Sequence, residues 1–249
     1  MMDPRQPGPA TAGGAFCISA GRPLSKSAMT SPKIRGEHGV AQLTIWGRLN
    51  SVNVQKVLWC LRELDLPFAR IDAGMQFGRN NEPDYLAMNP NGRIPTLVDG
   101  DYVLWESNSI MRYLCMAYGQ ASSIYPQDAR RRAGVDRWLD WTLSTLQPVD
   151  RPVFWALVRT LAAQRDMIAI QRDADAAAEV WHIIDRQLAT RPYLEGDQFT
   201  LADIAVGAFA RRWLGVEGIH RPELSELNRW CAQLADRPGF VQFIAPPMS

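Results

Sequence analysis

Between residues 41 and 119, short apolar runs alternate with stretches of helical period, and their order leaves few folds open. Gln42–Trp46 reads as a strand. Val54, Val57, Leu58, Leu61 and Leu64 then recur at helical spacing, which predicts an amphipathic helix over Asn53–Leu64 that Pro67 ends. Phe68–Asp72 reads as a second strand, Gly74–Pro83 as a polar loop and Asp84–Met88 as a short helical turn. Asn89-Pro90-Asn91-Gly92 is a turn signal. Pro95–Val98 and Tyr102–Trp105 flank Asp99-Gly100, a dipeptide favoured in tight hairpins. Glu106–Tyr118 reads as a helix with Ile110, Leu114 and Ala117 on one side. The order β-α-β-α-β-β-α builds a small α/β layer on a mixed sheet. Beyond Asp128 the pattern is helical, punctuated by Pro148, Pro152, Pro192, Pro222 and Pro238. The expectation is an α/β domain over 41–120, a linker over 121–127 and an all-α domain over 128–249.

Composition narrows the function more than the fold. Of 249 residues, 47% are apolar and 21% charged, ordinary values for a globular chain with a real core. The formal charge of +1 gives no reason to expect nucleic acid or an anionic membrane surface as partner. No apolar run approaches the roughly 18 residues that span a bilayer. Cys17, Cys60, Cys115 and Cys231 form no Cys-x-x-Cys pair, and His38, His182 and His220 are scattered, so no metal site is expected. Isolated thiols fit a reducing, cytoplasmic compartment. Residues 1–40 hold five prolines, six glycines and one aromatic, Phe16; they are expected to be a disordered extension without function, and Met29 offers another plausible start.

Three motifs carry chemistry. At Trp46–Val54 a strand runs through a polar turn into a helix start, with Asn50, Ser51 and Asn53 in the turn. Ser and Asn are common helix caps. The same helix start also offers free N–H groups and a positive dipole end, which favour a thiolate, and a serine hydroxyl adds one hydrogen bond to sulfur. Lowering a thiol pKa from about 8.5 by about 2 units takes about 2.7 kcal/mol, which one charge-assisted hydrogen bond and a helix end can supply. Ile94-Pro95 stands at a strand start, as an edge proline or as a cis bond that exposes the Ile94 backbone to an extended peptide. Glu106-Ser107 opens a helix, either as a cap or as a seat for an amino-acid zwitterion, with the ligand's carboxylate on Ser107 and its ammonium on Glu106.

In combination these motifs resemble the glutathione S-transferase superfamily. Asn50-Ser51-Val52-Asn53, Asn89 through Leu97 and Glu106 through Ile110 resemble its thioredoxin-like, glutathione-binding domain. Phe199-Thr200-Leu201-Ala202-Asp203-Ile204-Ala205 resembles its helical domain. Within the superfamily, the segment from Trp46 to Gly78 is similar to a bacterial branch near the theta, delta and nu-like classes. The resemblance implies that Ser51 and Asn53 hold the sulfur, Ile94 before cis-Pro95 pairs with the peptide, and Glu106 and Ser107 take the γ-glutamyl end. Asn50 and Arg93 complete the expected glutathione site. Arg93 stands in for a histidine often found where this chain has Gly92, and Asn53-Val54 replaces the Pro-Cys usual in the theta and delta classes. Thr200-x-x-Asp203 is expected to cap a helix and serve stability. The electrophile would lie against the helical domain, with Arg137, Trp138, Trp141, Phe154, Trp155 and Trp213 as candidates and Arg137 drawing an anionic substrate. The implied protein is a cytoplasmic, homodimeric detoxification enzyme that conjugates glutathione to a small electrophile without a metal. A glutathione-dependent disulfide reductase or peroxidase, and a non-catalytic binding module of the same fold, stay open as alternatives.

Overall fold

The computed structural model describes residues 43–119 and 122–248. The expected extension over 1–40, with Cys17, lies outside the described residues. The elements run β1 (Leu43–Trp46), α1 (Val52–Glu63), β2 (Phe68–Ile71), α2 (Pro83–Met88), β3 (Thr96–Asp99), β4 (Tyr102–Trp105) and α3 (Ser107–Ala117). The sheet order is β2-β1-β3-β4. β1 is parallel to β2 and antiparallel to β3, and β3 and β4 form a hairpin that pairs Asp99 with Tyr102. Alternation fixes the faces: Leu43, Ile45 and Leu97 turn to a core closed by Val54, Val57 and Leu61 of α1 and by Ile110 and Leu114 of α3. Cys60 and Cys115 meet inside that core with sulfurs 4.0 Å apart, as apolar filling.

The second half is helical: α4 (Ala129–Trp141), α5 (Gln147–Phe154), α6 (Met167–Leu188), α7 (Leu201–Gly215), α8 (Ser225–Ala235) and α9 (Pro238–Phe243). Pro148 and Pro152 do not punctuate as the sequence led us to expect. Pro148 sits in the first turn of α5 and Pro152 inside it. Wider π-type turns over Thr142–Leu146 and Trp155–Arg159 flank α5, so helical backbone continues from Ala129 to Arg159. α7 starts at a capping box. Asp203 accepts the Thr200 N–H at 2.8 Å, and the Thr200 hydroxyl accepts the Ala202 N–H at 3.3 Å.

Trp59 of α1 joins the α/β layer to the helices. It is fully buried between Phe199, 5.8 Å away, and Phe240, which meets it edge-on at 5.4 Å. Glycines clear its path: a Cβ on Gly239 would lie 2.3 Å from the indole, and one on Gly207 of α7 3.3 Å from it. The indole N–H donates to Glu63 at 2.8 Å, and Glu63 in turn holds Arg237 across the junction.

Candidate active site

Gly47 ends β1 at φ +153°, and a Cβ there would strike Val54 at 2.5 Å, so the loop from strand to helix lies tight against α1. That loop delivers Ser51 and Asn53 to the start of α1. Ser51 is the residue before the helix, buried, yet its hydroxyl caps no helix N–H. Capping therefore does not account for it. Asn53 Oδ1 is buried and accepts no hydrogen bond. Across the cleft, Ile94-Pro95 is a cis peptide just before β3, and no described backbone group pairs with Ile94. Its approach is braced from behind: Tyr85 Oη and Asn89 Nδ2 both donate to the Arg93 carbonyl, at 2.6 and 2.8 Å.

Glu106 holds φ +71° at the start of α3, a conformation that costs a non-glycine residue about 1–3 kcal/mol and concentrates at functional sites. It makes no capping hydrogen bond, and Ser107 is the first residue of the helix rather than its cap. Both side chains line a chamber of about 450 Å³ together with Asn53, Ile94 and Arg93. This volume suits a small peptide.

A buried polar network stands behind Ser107. Its neighbour Asn108 donates to the Leu139 carbonyl at 2.7 Å and accepts from the fully buried Lys56 Nζ at 2.8 Å, tying α3 to α4 and α1. Burial pulls the Lys56 ammonium down to about 7; Glu106 opposes the shift, while Arg212 and Arg112 add to it. The unfolded chain keeps its lysine protonated up to about pH 10. Between about 7 and 10 it therefore binds a proton the folded chain lacks, so this group makes stability rise with pH over that window and lowers it fully below 7. Lys56→Met is expected to remove the rise. In urea unfolding it should gain on the native protein by up to about 4 kcal/mol more at about pH 6.5 than at about pH 10. Parallel pH profiles for the two proteins would contradict this.

A second chamber of about 300 Å³ adjoins the first and shares Asn53, Arg93, Ile94, Gln147 and Arg151 with it. Ser51 lines this second chamber. One wall is a ladder from the continuous helical backbone: Gln147, Arg151, Trp155 and Arg159, four residues apart. In an α-helix such a ladder drifts by about 40° at each step. The π turn over Trp155–Arg159 winds less per residue and offsets part of that drift. Arg48 from the β1–α1 loop and Arg212 from α7 complete the wall. Arg212 lies 3.8 Å over the Phe154 ring. Burial pushes Arg212 down to about 10 and also lowers Arg48 and Arg159; the cations lower one another further at Arg48 and Arg212. At these values Arg212 stays charged near neutrality.

The structure gathers most of the expected glutathione residues and disperses most of the expected electrophile residues. Ser51, Asn53, Arg93, Ile94, Pro95, Glu106 and Ser107 line the two chambers. Asn50 does not; it borders a small crevice by Gln55 and Ala208. Phe154 and Trp155 line the second chamber. Arg137, Trp138, Trp141 and Trp213 line neither. Arg137 pairs with Glu195 at 2.7 Å, and the Trp138 indole N–H donates to the same carboxylate at 2.5 Å. Trp141 packs edge-on against Trp138, and Trp213 stacks on Trp181 in the helical core. Besides Arg93, the cations at the cleft are Arg48, Arg151, Arg159 and Arg212. The four-residue ladder was the sequence signal for two of them.

These features define a thioredoxin-like α/β layer packed on a helical bundle, with a two-chambered cleft at the start of the first helix. Residues 41–115 match the glutathione S-transferase N-terminal domain and residues 139–238 its C-terminal domain. Glutathione S-transferase GstB of Escherichia coli K12 is 40% identical over 209 residues, covering 83% of this chain and 100% of that protein. Glutathione S-transferase 3 of Zea mays is 37% identical over 167 residues, 66% of this chain and 75% of the maize protein. A crystal structure of the theta class glutathione S-transferase of Xanthomonas axonopodis pv. citri, with glutathione bound, superposes with a TM-score of 0.80 at 44% identity, covering 84% of this chain and all of that one. The chain belongs to the glutathione S-transferase family.

Proposed function

We propose that the protein is a glutathione transferase that joins the glutathione thiolate to a small electrophilic carbon. Glutathione lies extended along Ile94 in the first chamber, its γ-glutamyl carboxylate on Ser107 and the α3 N–H groups, its ammonium on Glu106. The sulfur rests at the start of α1, where the Ser51 hydroxyl donates to it and Asn53 flanks it. The observation that carries this reading is a buried serine hydroxyl at a helix start, committed to no cap and facing the cleft. The protein supplies position and a stabilised thiolate, and glutathione supplies the nucleophile.

The proposal extends to domain limits near 41–120 and 128–249, a role in detoxification, a cytoplasmic site of action and a homodimer. The exposed Tyr102, Trp105 and Met116 leave apolar surface on the edge strand β4 and on α3 for a second copy. No helix among the described residues is long and apolar enough to cross a membrane. Among the described residues no cysteine lines the cleft, so chemistry through a protein thiol has no support there.

Calorimetry with glutathione, followed by turnover of a chloronitroaromatic and of a mixed disulfide, tests the reading. Glutathione binding with faster conjugation than disulfide reduction is expected. Binding with reduction alone would make the protein a reductase, and no binding would make it a non-catalytic module.

A further inference from the structure

Glu106 and Ser107 line only the first chamber, whereas Arg48, Arg159 and Arg212 line only the second. Ser51 lies in the second chamber and Asn53 in both, so the proposed sulfur position stands at the boundary and the arginine-walled space opens beyond it. Five arginines line that space, Arg48, Arg93, Arg151, Arg159 and Arg212, and no aspartate or glutamate does. Their intramolecular partners are few. The Nε atoms of Arg48 and Arg159 are buried without an acceptor. The one hydrogen bond from Arg159 reaches the Asn50 carbonyl at 3.4 Å. Arg151 rests over Trp155 at 5.3 Å. Asp150, which does not line the chamber, stands 4.0 Å from Arg212, and its Oδ2 makes no hydrogen bond. Burial lifts its carboxyl to about 7 while Arg212 opposes the shift, so this single acid, paired with Arg212, faces five arginines. Buried guanidinium groups without acceptors are costly unless an anion satisfies them. The apolar surface beside them, Phe154, Trp155 and Phe209, would take the body of a small ligand.

We propose that this second chamber is an anion-binding site for the electrophile: the co-substrate is a small molecule that carries a carboxylate or similar anionic group on the same small framework as its reactive carbon. The inference rests on the glutathione reading above. Arg159 and Arg151 hold the anion by charge-assisted hydrogen bonds and turn the reactive carbon towards the sulfur at Ser51. The thiolate lone pair forms the S–C bond as the bond from carbon to its leaving group breaks, and the leaving group departs with that electron pair. The thiol proton has already passed to solvent. Arg151 and Arg93, which line both chambers, are cations through which occupancy of one can be felt in the other.

The test pairs 4-chloro-3-nitrobenzoate with 4-chloro-3-nitrobenzamide, close in shape and different in charge. For each, kcat/KM is divided by the rate constant of the uncatalysed reaction with glutathione, and glutathione affinity is measured by calorimetry on the same protein. The native protein should favour the benzoate at least about tenfold, the discrimination expected of a charge-assisted hydrogen bond. Arg159→Met and Arg151→Met should each lower that ratio about tenfold or more, and high salt should lower it too. Bound glutathione with no preference for the benzoate would overturn the inference and leave the transferase reading standing. Failure to bind glutathione would overturn both. Variants that weaken glutathione itself, and slow both electrophiles alike, would assign the arginines to the tripeptide and also overturn it. Should a variant not fold, the ratio in the native protein decides alone.

Discussion

Asp203→Ala is expected to leave little folded protein at 25 °C. The Asp203 carboxylate is fully buried and accepts four hydrogen bonds: from the Leu194 N–H at 3.0 Å, the Thr200 N–H at 2.8 Å, the Thr200 hydroxyl at 3.1 Å and the Trp230 indole at 3.0 Å. It thereby joins the start of α7 to α8 and to the segment before α7. Alanine leaves these donors buried and unpaired, at about 1–3 kcal/mol each. Their sum rivals the about 5–15 kcal/mol by which a domain is stable. Asp203→Asn retains one acceptor oxygen and should fall between. Urea midpoints of the three proteins check the order. A midpoint for Asp203→Ala within error of the native value would show that water replaces the carboxylate.

Ser51→Ala is expected to act on chemistry and to spare the fold. Ser51 makes no capping hydrogen bond, so its removal exposes no helix donor that it had covered. One charge-assisted hydrogen bond to a thiolate is worth about 1.5–3 kcal/mol, so kcat/KM should fall by about 10- to 150-fold. The loss should shrink at alkaline pH, where free glutathione is itself ionised. Asn53→Ala separates the two polar groups at the helix start. A smaller loss there leaves Ser51 as the main donor, and a larger one transfers that role to Asn53. Native activity in Ser51→Ala across the pH range would remove the hydroxyl from the mechanism.

The first half of the fold was legible because its signals are local. Period-two and helical runs placed β1 through α3 to within a residue or two, and Asp99-Gly100 placed the hairpin. That Ser51, Ile94 and Ser107 line the candidate cleft was legible because each sits at an element boundary that sequence marks. The arginine-lined wall of the second chamber was not. Arg137, Trp138 and Trp141 precede the π turn at Thr142–Leu146, and Arg151, Trp155 and Arg159 follow it. Which face of a helix looks into a cleft depends on its winding and on what packs behind it, and no local rule predicts a π turn. Glu195 claimed both Arg137 and Trp138 from 57 or more residues away, an ion pair that periodicity does not reveal. Asn50 came with the Asn50-Ser51-Val52-Asn53 turn, and it borders a small crevice rather than either chamber.

Titration of the glutathione thiol in complex with the native protein and with Ser51→Ala, followed by its thiolate absorbance, tests most directly whether the start of α1 ionises the sulfur. The account predicts a bound thiol about 2 units below the free value of about 8.5, and a rise of about 1–2 units on loss of the hydroxyl. A bound thiol that titrates where free glutathione does, or the same value in both proteins, would contradict it.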